Sequence, residues 1–330
     1  LKPLLQDLAG NPWSFQIITH GAQSYFKRYG ATLIGLFVLG TVMTIMSPVF
    51  LTPGNLINIM RQVSTNGMLA MAMTFVILTG GIDLSVGSVM AFTGTLAAGL
   101  IAISGLAVPL AVGIALIAGI LIGSVNGLII ASTGIAPFIA TLGMMNIVRG
   151  FAYIYTGGLP VRVDLESYNR IGLAYMGPIP FQIIYLVILF VLLDLILKRT
   201  TFGRHVYAVG DSTDAAYFAG IKVRRIRFSV YALSGFITAF TGVILSARLY
   251  SGQPSAGQGF ELDAVAACVL GGMSMTGGTG RLMGALLGAM VIGVLNNGLN
   301  LLNINSFWQL VVKGFVILIA VYLDDLKKRT

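Results

Sequence analysis

Charge is scarce in this chain. Asp, Glu, Lys and Arg make up 9% of its 330 residues, against about 25% in an ordinary globular domain. With 56% of its residues hydrophobic, a soluble fold could not cover its surface with polar groups and would aggregate. Soluble enzyme, nucleic-acid binder and disordered chain are excluded together. The single cysteine, Cys268, allows no intrachain disulfide; in its apolar stretch it reads as a small buried hydrophobe. The two histidines, His20 and His205, lie far apart. The sequence has no HExxH, CxxC or Ser/His/Asp cluster, so no catalytic residue and no metal-ligand set is assigned. A GxxxxGK[ST] phosphate loop is also absent, and with it that route to ATP binding. The first 26 residues show no apolar core leading to a small-residue cleavage site, so no cleavable signal peptide is expected.

Long apolar runs are plentiful. A helix crossing the hydrocarbon needs about 20 mostly apolar residues. Residues 30–50, 56–79, 85–104, 107–131, 136–156 and 181–197 qualify, followed by 228–249, a shorter 260–276, 281–302 and 307–323. The expected fold is all-α, a polytopic transmembrane helical bundle of about ten spans. Pro and Gly mark the cuts, as at Ser47-Pro48, Pro53-Gly54, Thr79-Gly80-Gly81 and Gly134 with Pro137.

Basic residues orient it. The stretch 198–227 holds seven Lys and Arg against Asp211 and Asp214. The head adds Lys2, Lys27 and Arg28, and the tail Lys327, Lys328 and Arg329. Excess positive charge marks cytoplasmic segments, which places both termini and 198–227 on that side. Six spans before the loop and four after it satisfy the parity. The predicted organisation is a cytoplasmic segment 1–28, a transmembrane domain 29–326 interrupted by cytoplasmic loop 198–227, and a tail 327–330. Partners include membrane lipid but not nucleic acid.

Glycine is abundant, at 42 residues. Inside lipid, small residues at spacings of four let helix backbones approach closely. Gly119, Gly123 and Gly127 form two such steps, and Gly284 and Gly288 another, so these glycines are expected at helix contacts. A faint internal echo is also present. Thr79-Gly80-Gly81 with Gly87 matches Thr276-Gly277-Gly278 with Gly284 at a constant offset of 197. Gly-interrupted segments in corresponding places can point to a transport path.

Loop 198–227 has the marks of a short helix. Ser212 can cap its start, Asp214 sits in the first turn where negative charge suits the helix dipole, and Gly220 can end it in a left-handed conformation. Tyr217 and Phe218 would lie outside the lipid, uncovered unless a partner docks on them; the alternative is a loop packed on its own bundle. Few carboxylates lie inside spans, whereas ion-coupled carriers commonly bury ionisable groups near the midplane. Any driving energy is therefore expected from a partner.

Asp-Ala-Ala-Tyr-Phe-Ala-Gly-Ile at 214–221 resembles the Glu-Ala-Ala-xxx-Gly loop of ATP-binding-cassette importer permeases, with Asp214 in place of Glu. Leu78–Ser88, Gln253–Gly257, Glu261–Ala264, Gly277–Arg281 and Leu295–Asn300 resemble the matching strings of the branch that serves ribose, xylose, arabinose, galactose and branched-chain amino acids. They are most like its ribose permeases. The resemblance covers roughly 30–325. It implies a non-catalytic permease in a bacterial inner membrane. Two copies would form the path, cassette ATPase subunits would use ATP and Mg below, and a periplasmic sugar-binding protein would deliver the sugar above. The chain itself would carry no cofactor. Asp214, Ala215, Ala216, Tyr217, Phe218 and Gly220 would then form the coupling helix.

Asp83, Asn126 and Arg149 are the candidate path residues. Asp83 reads either as a helix cap, in competition with Ser85, or as a lining of the inner mouth. Arg149 lies about 10 Å in from the outer end of its span, at 1.5 Å per residue. An internal pair with Glu261 or Asp263, or contact with backbone carbonyls, would satisfy it; contact with sugar hydroxyls is the functional alternative. Arg281 is expected to snorkel to headgroups. Asn296, Asn297 and Asn300 would meet the binding protein or bond across helices. Rival readings are an ion-coupled secondary carrier, and an importer for a hexose, a furanose-like signalling molecule or a branched-chain amino acid.

Overall fold

The computed structural model describes residues 12–329, and most of them are helical. Residues 1–11 of the predicted cytoplasmic segment, including Lys2, and Thr330 of the predicted tail lie outside the described residues. Thirteen helices occur among the described residues. The first six are α1 (Pro12–Met46), α2 (Pro53–Leu78), α3 (Val86–Ala102), α4 (Val108–Thr133), α5 (Pro137–Thr156) and α6 (Glu166–Leu173). They are followed by α7 (Phe181–Arg199), α8 (Thr201–Asp211), α9 (Thr213–Phe218), α10 (Val223–Arg248), α11 (Phe260–Leu270), α12 (Leu282–Leu301) and α13 (Ser306–Arg329). Every predicted apolar segment carries one of these; α6, α8 and α9 are additional. Tyr29–Met46 of α1, together with α4, α5, α7, α10 and α12, are long and apolar enough to cross a bilayer.

Local chemistry sets the ends. Pro53 and Pro137 open their helices at the first positions, where a missing N–H breaks no helix bond. Gly134 (φ 73°) and Gly157 (φ 62°) close α4 and α5 in the left-handed conformation. The segment expected over 260–276 is shorter than predicted. Its helix α11 has 11 residues, about 16 Å at 1.5 Å per residue, roughly half a hydrocarbon core. Gly271 and the left-handed Gly272 end it, and residues 271–281 run on as a non-helical loop.

The core is built around α2, whose residues 63–78 are all buried. A helix apolar on every side needs neighbours all round, and α7, α8, α10, α11 and α12 supply them. The predicted contact glycines lie on two crossings. A Cβ at Gly119 would stand 2.4 Å from that of Ala239, one at Gly123 2.2 Å from the Tyr231 carbonyl, and one at Gly127 2.8 Å from the Phe228 Cα. These three pack α4 on α10. A Cβ at Gly284 would stand 2.2 Å from the Gly271 carbonyl and one at Gly288 1.9 Å from the Ala267 carbonyl, so these two pack α12 on α11. Cys268 is fully buried, with its Sγ 3.4 Å from the Ala70 carbonyl. Outside the bundle, β1 (Val161–Arg162) pairs antiparallel with β4 (Ser251–Gly252), and β2 (Tyr175–Met176) with β3 (Ile179–Pro180).

Candidate coupling and translocation site

The loop after α7 folds into two helices, α8 and α9. Thr200 caps α8, its hydroxyl accepting from the Gly203 N–H at 3.1 Å. Ser212 caps α9, accepting from the Ala215 N–H at 3.2 Å. Such caps contribute about 1 kcal/mol each. Asp214 sits in the first turn of α9, and Gly220 (φ 82°) closes it as the Ile221 N–H bonds back to the Ala216 carbonyl at 3.0 Å. Only Ala216 of α9 faces inward. Tyr217 is 69% and Phe218 85% exposed, and the two rings lie edge to face with centroids 5.8 Å apart. Burying an aromatic of this size on a partner is worth about 1.5–3 kcal/mol.

Glycines join α8 to both sequence-echo breaks. A Cβ on Gly210 would lie 1.8 Å from the Leu78 carbonyl and 2.6 Å from the Gly278 nitrogen. The Gly278 N–H donates to the Leu78 carbonyl at 3.1 Å, so the two Thr-Gly-Gly segments touch. A Cβ on Gly277 would stand 2.8 Å from the Gly80 nitrogen and 3.0 Å from the Gly210 carbonyl. The Tyr207 hydroxyl donates to the Gly280 carbonyl at 2.9 Å. Arg227, in the first turn or two of α10, donates to the Thr213 hydroxyl of α9 at 3.0 Å. Helix α9 is thus connected directly to α8 and α10, and through α8 to both breaks.

Two of the candidate path residues are joined through Ser85 inside the bundle. Asp83 is 3% exposed and Asn126 is fully buried. One Asp83 oxygen accepts from the Ser85 N–H (3.0 Å) and hydroxyl (2.5 Å), and the other from the Ser234 hydroxyl (3.2 Å). Asn126 donates to the Ser85 hydroxyl at 2.9 Å. Ser85 is the N-cap residue of α3, but its side chain makes no capping bond there. Three elements are thus braced by one carboxylate. The third candidate, Arg149, lies elsewhere. Its guanidinium donates to the Pro254 and Ala256 carbonyls, both at 2.7 Å, with Glu261 adding a coulombic attraction. The loop so held presents Ser255 and Gln258 to the outside. Glu261 stands beside the first turn of α3, its Oε2 2.3 Å from where a Gly87 Cβ would be, a place where the helix dipole favours negative charge.

Residues 55–321 match the family described as the branched-chain amino acid transport system permease component. The chain belongs to this permease family. It is 49% identical to the ribose import permease protein RbsC of Bacillus subtilis, over 89% of this chain and 92% of that one. It is 45% identical to RbsC of Escherichia coli K12 (90% and 94% covered) and 36% to the L-arabinose permease protein AraH of Azospirillum brasilense (93% and 90%). No solved structure matches the chain. As a member of this family it is a multi-pass membrane permease.

Several polar contacts of this permease escaped sequence reasoning. Asp263, offered as a partner for Arg149, instead takes Lys313 of α13 at 2.9 Å and Asn296 at 3.1 Å. The expected asparagine cluster bonds across helices: Asn297 and Asn55 exchange two hydrogen bonds of 3.0 and 2.9 Å, and Gln309 donates to Asn300 at 2.9 Å. Arg61 reaches the Tyr175 hydroxyl and stacks over its ring at 5.3 Å. A lone Lys or Arg inside an apolar run was the available signal for Lys313 and Arg61. Gly210, Tyr207 and Ser234 carried none, since their partners lie 68–151 residues away.

Proposed function

We propose that the chain is the membrane-spanning subunit of an ATP-driven importer for a monosaccharide, ribose or a similar pentose. Two copies would enclose the path by alternating access, each with ten spans and both termini cytoplasmic. A separate cassette ATPase would bind ATP and Mg, and a periplasmic binding protein would deliver the sugar. One observation carries the reading: a capped helix, α9, presents two large bare aromatics on the basic loop. The permease similarity to ribose relatives supports the substrate class.

In this scheme Asp214, Ala215, Ala216, Tyr217, Phe218 and Gly220 transmit the stroke of the ATPase. The glycine junction passes it to both breaks. Asp83 and Asn126 keep α3, α4 and α10 moving together. Arg149 props the loop whose Ser255 and Gln258 offer hydrogen-bonding groups to a polyol. The proposal is tested by Phe218→Glu with Tyr217→Ala in cells carrying the whole transporter. Ribose uptake should fall at least tenfold while membrane yield and thermal stability stay unchanged, because neither side chain supports the fold. Undiminished uptake would remove α9 from the mechanism. Competition of labelled ribose uptake by arabinose, galactose and leucine then separates the substrate classes.

A further inference from the structure

Beside α9 the bundle leaves a cavity that the transport scheme does not use. It measures about 140 Å³ and is lined by Thr79–Gly81, Gly134–Pro137, Arg227 and Tyr231. At ~30 Å³ per water that is room for four or five waters, or for one tetrahedral oxyanion. Arg227 also lines a wider groove of about 900 Å³ along α9, with Lys222, Arg224 and Arg225 set against the single carboxylate of Asp214. The charge of this region is therefore strongly positive.

Three further observations define the ligand. The Tyr231 side chain is 1% exposed, yet its hydroxyl has no hydrogen-bond partner. It lines the cavity beside Gly81, whose Cβ, if present, would lie 2.4 Å from that oxygen. A buried hydroxyl left unpaired is unfavourable and is aimed where a ligand can take it. The cavity also abuts the start of the 20-residue α5, where the helix dipole attracts anions, although Pro137 has no N–H and the Ile139 and Ala140 N–H groups already donate to the Ala136 carbonyl. Asp83 is an electrostatic neighbour of Tyr231, but its oxygens are already engaged by Ser85 and Ser234. Finally, Leu128, Phe138, Ile139 and Phe228 expose apolar surface on the flanking helices, a wall suited to acyl chains.

We propose that this cavity binds a phosphate group, held by the Arg227 guanidinium and the Tyr231 hydroxyl at the start of α5, and that its source is the headgroup of an anionic lipid of the cytoplasmic leaflet. Juxtamembrane basic clusters attract such lipids, and the guanidinium fork matches phosphate oxygens in two-point contact. Arg227 also donates to the Thr213 hydroxyl of α9, so lipid occupancy would bear on the position of the coupling helix through that side chain. The proposal rests on the cytoplasmic placement of the loop and not on the transported solute.

The test is native mass spectrometry of the purified full-length chain, titrated with phosphatidylglycerol or phosphatidylcholine, with melting temperatures read in parallel. The wild type should retain phosphatidylglycerol preferentially. Arg227→Gln should lower its apparent affinity about tenfold, as loss of a charge-assisted contact does, and Tyr231→Phe by a few-fold. Arg162→Gln on the opposite face should change nothing. Tyr231→Phe separates ligand from scaffold. A purely structural hydroxyl with no partner predicts an equal or higher melting temperature and unaltered lipid retention, and that retention would overturn the proposal, as would full retention in Arg227→Gln. Displacement of phosphatidylglycerol by excess inorganic phosphate would keep the phosphate site but overturn the lipid as its source. Because lipid binding is read without transport, failure here leaves the importer reading standing, and failure of uptake leaves this site standing.

Discussion

The two Thr-Gly-Gly breaks share a spelling but not an anchorage. The first follows the long buried α2, and its Asp83 is tied to Ser85 of α3 and Ser234 of α10, with Asn126 of α4 joining through Ser85. The second follows the 11-residue α11. At the place corresponding to Asp83, 197 residues on, stands Gly280. Its carbonyl takes the Tyr207 hydroxyl of α8, while Gly278 presses on Asp211 with only 2.8 Å for a Cβ to the Asp211 Cα. Both breaks touch α8 at Gly210, but the first is also fastened to the core by a carboxylate, where the second has the bond from Tyr207. An interruption of the same local form gains or lacks a carboxylate brace according to the residue two positions beyond it.

The contact between the breaks is where this comparison is most easily destroyed. Gly210→Ala would put a methyl 1.8 Å from the Leu78 carbonyl, against backbone that cannot swing aside. Overpacking of this kind costs about 1–3 kcal/mol or more, and we expect the upper end, with a sharp fall in folded yield by size-exclusion chromatography. Gly220→Ala makes the contrast. Its φ of 82° also disfavours a side chain, but open space surrounds it, so only the strain of about 1–2 kcal/mol remains. A Gly210→Ala protein as stable as wild type would show that α8 does not press on the breaks.

The brace comes next. Asp83→Ala leaves three donors, the Ser85 N–H and hydroxyl and the Ser234 hydroxyl, without their acceptor. Each unsatisfied buried group costs about 1–3 kcal/mol, so the melting temperature should drop markedly. Asp83→Asn keeps one acceptor oxygen and should recover part of the loss. Equal stability of both variants would mean that the carboxylate braces nothing.

Much of this architecture was legible in the chain itself. Apolar length and Pro/Gly punctuation located the helices, and the cap at Ser212 with Gly220 located α9 to the residue. The contact glycines declared themselves by spacing, since two helices can close on each other only where no Cβ intervenes. What stayed hidden was pairing. Nothing local tells that Ser234 serves Asp83 or that Lys313 rather than Arg149 serves Asp263, because those partners are set by how whole helices cross. The shortness of α11 was hidden for a related reason. The Gly271-Gly272 pair that ends it sits within an apolar run, and hydropathy does not register a turn buried in protein. The amphipathic α8 was visible in principle, through the Thr200 cap and the inward Gly203, Val206 and Val209, but its basic flanks read as plain loop.

The smallest expected change is the sharpest probe of the second break. Tyr207→Phe removes one hydrogen bond to the Gly280 carbonyl, worth about 1 kcal/mol, and leaves the ring packing intact. Burial raises the Tyr207 phenol above its ordinary value, with Arg281 pulling the other way. The neutral, donating form is the one the fold favours. Its contribution is therefore fully present below the unfolded phenol range of about 10 and declines as pH rises beyond it. The wild type should lose more stability than Tyr207→Phe above that pH, and the two melting curves should converge there. Near neutrality the variant should fold almost as well as wild type. If α8 drives the second break through this bond, sugar uptake per ATP hydrolysed should fall more than stability does. If both fall in proportion, the bond only holds α8 in place, and the glycine contacts alone carry the stroke.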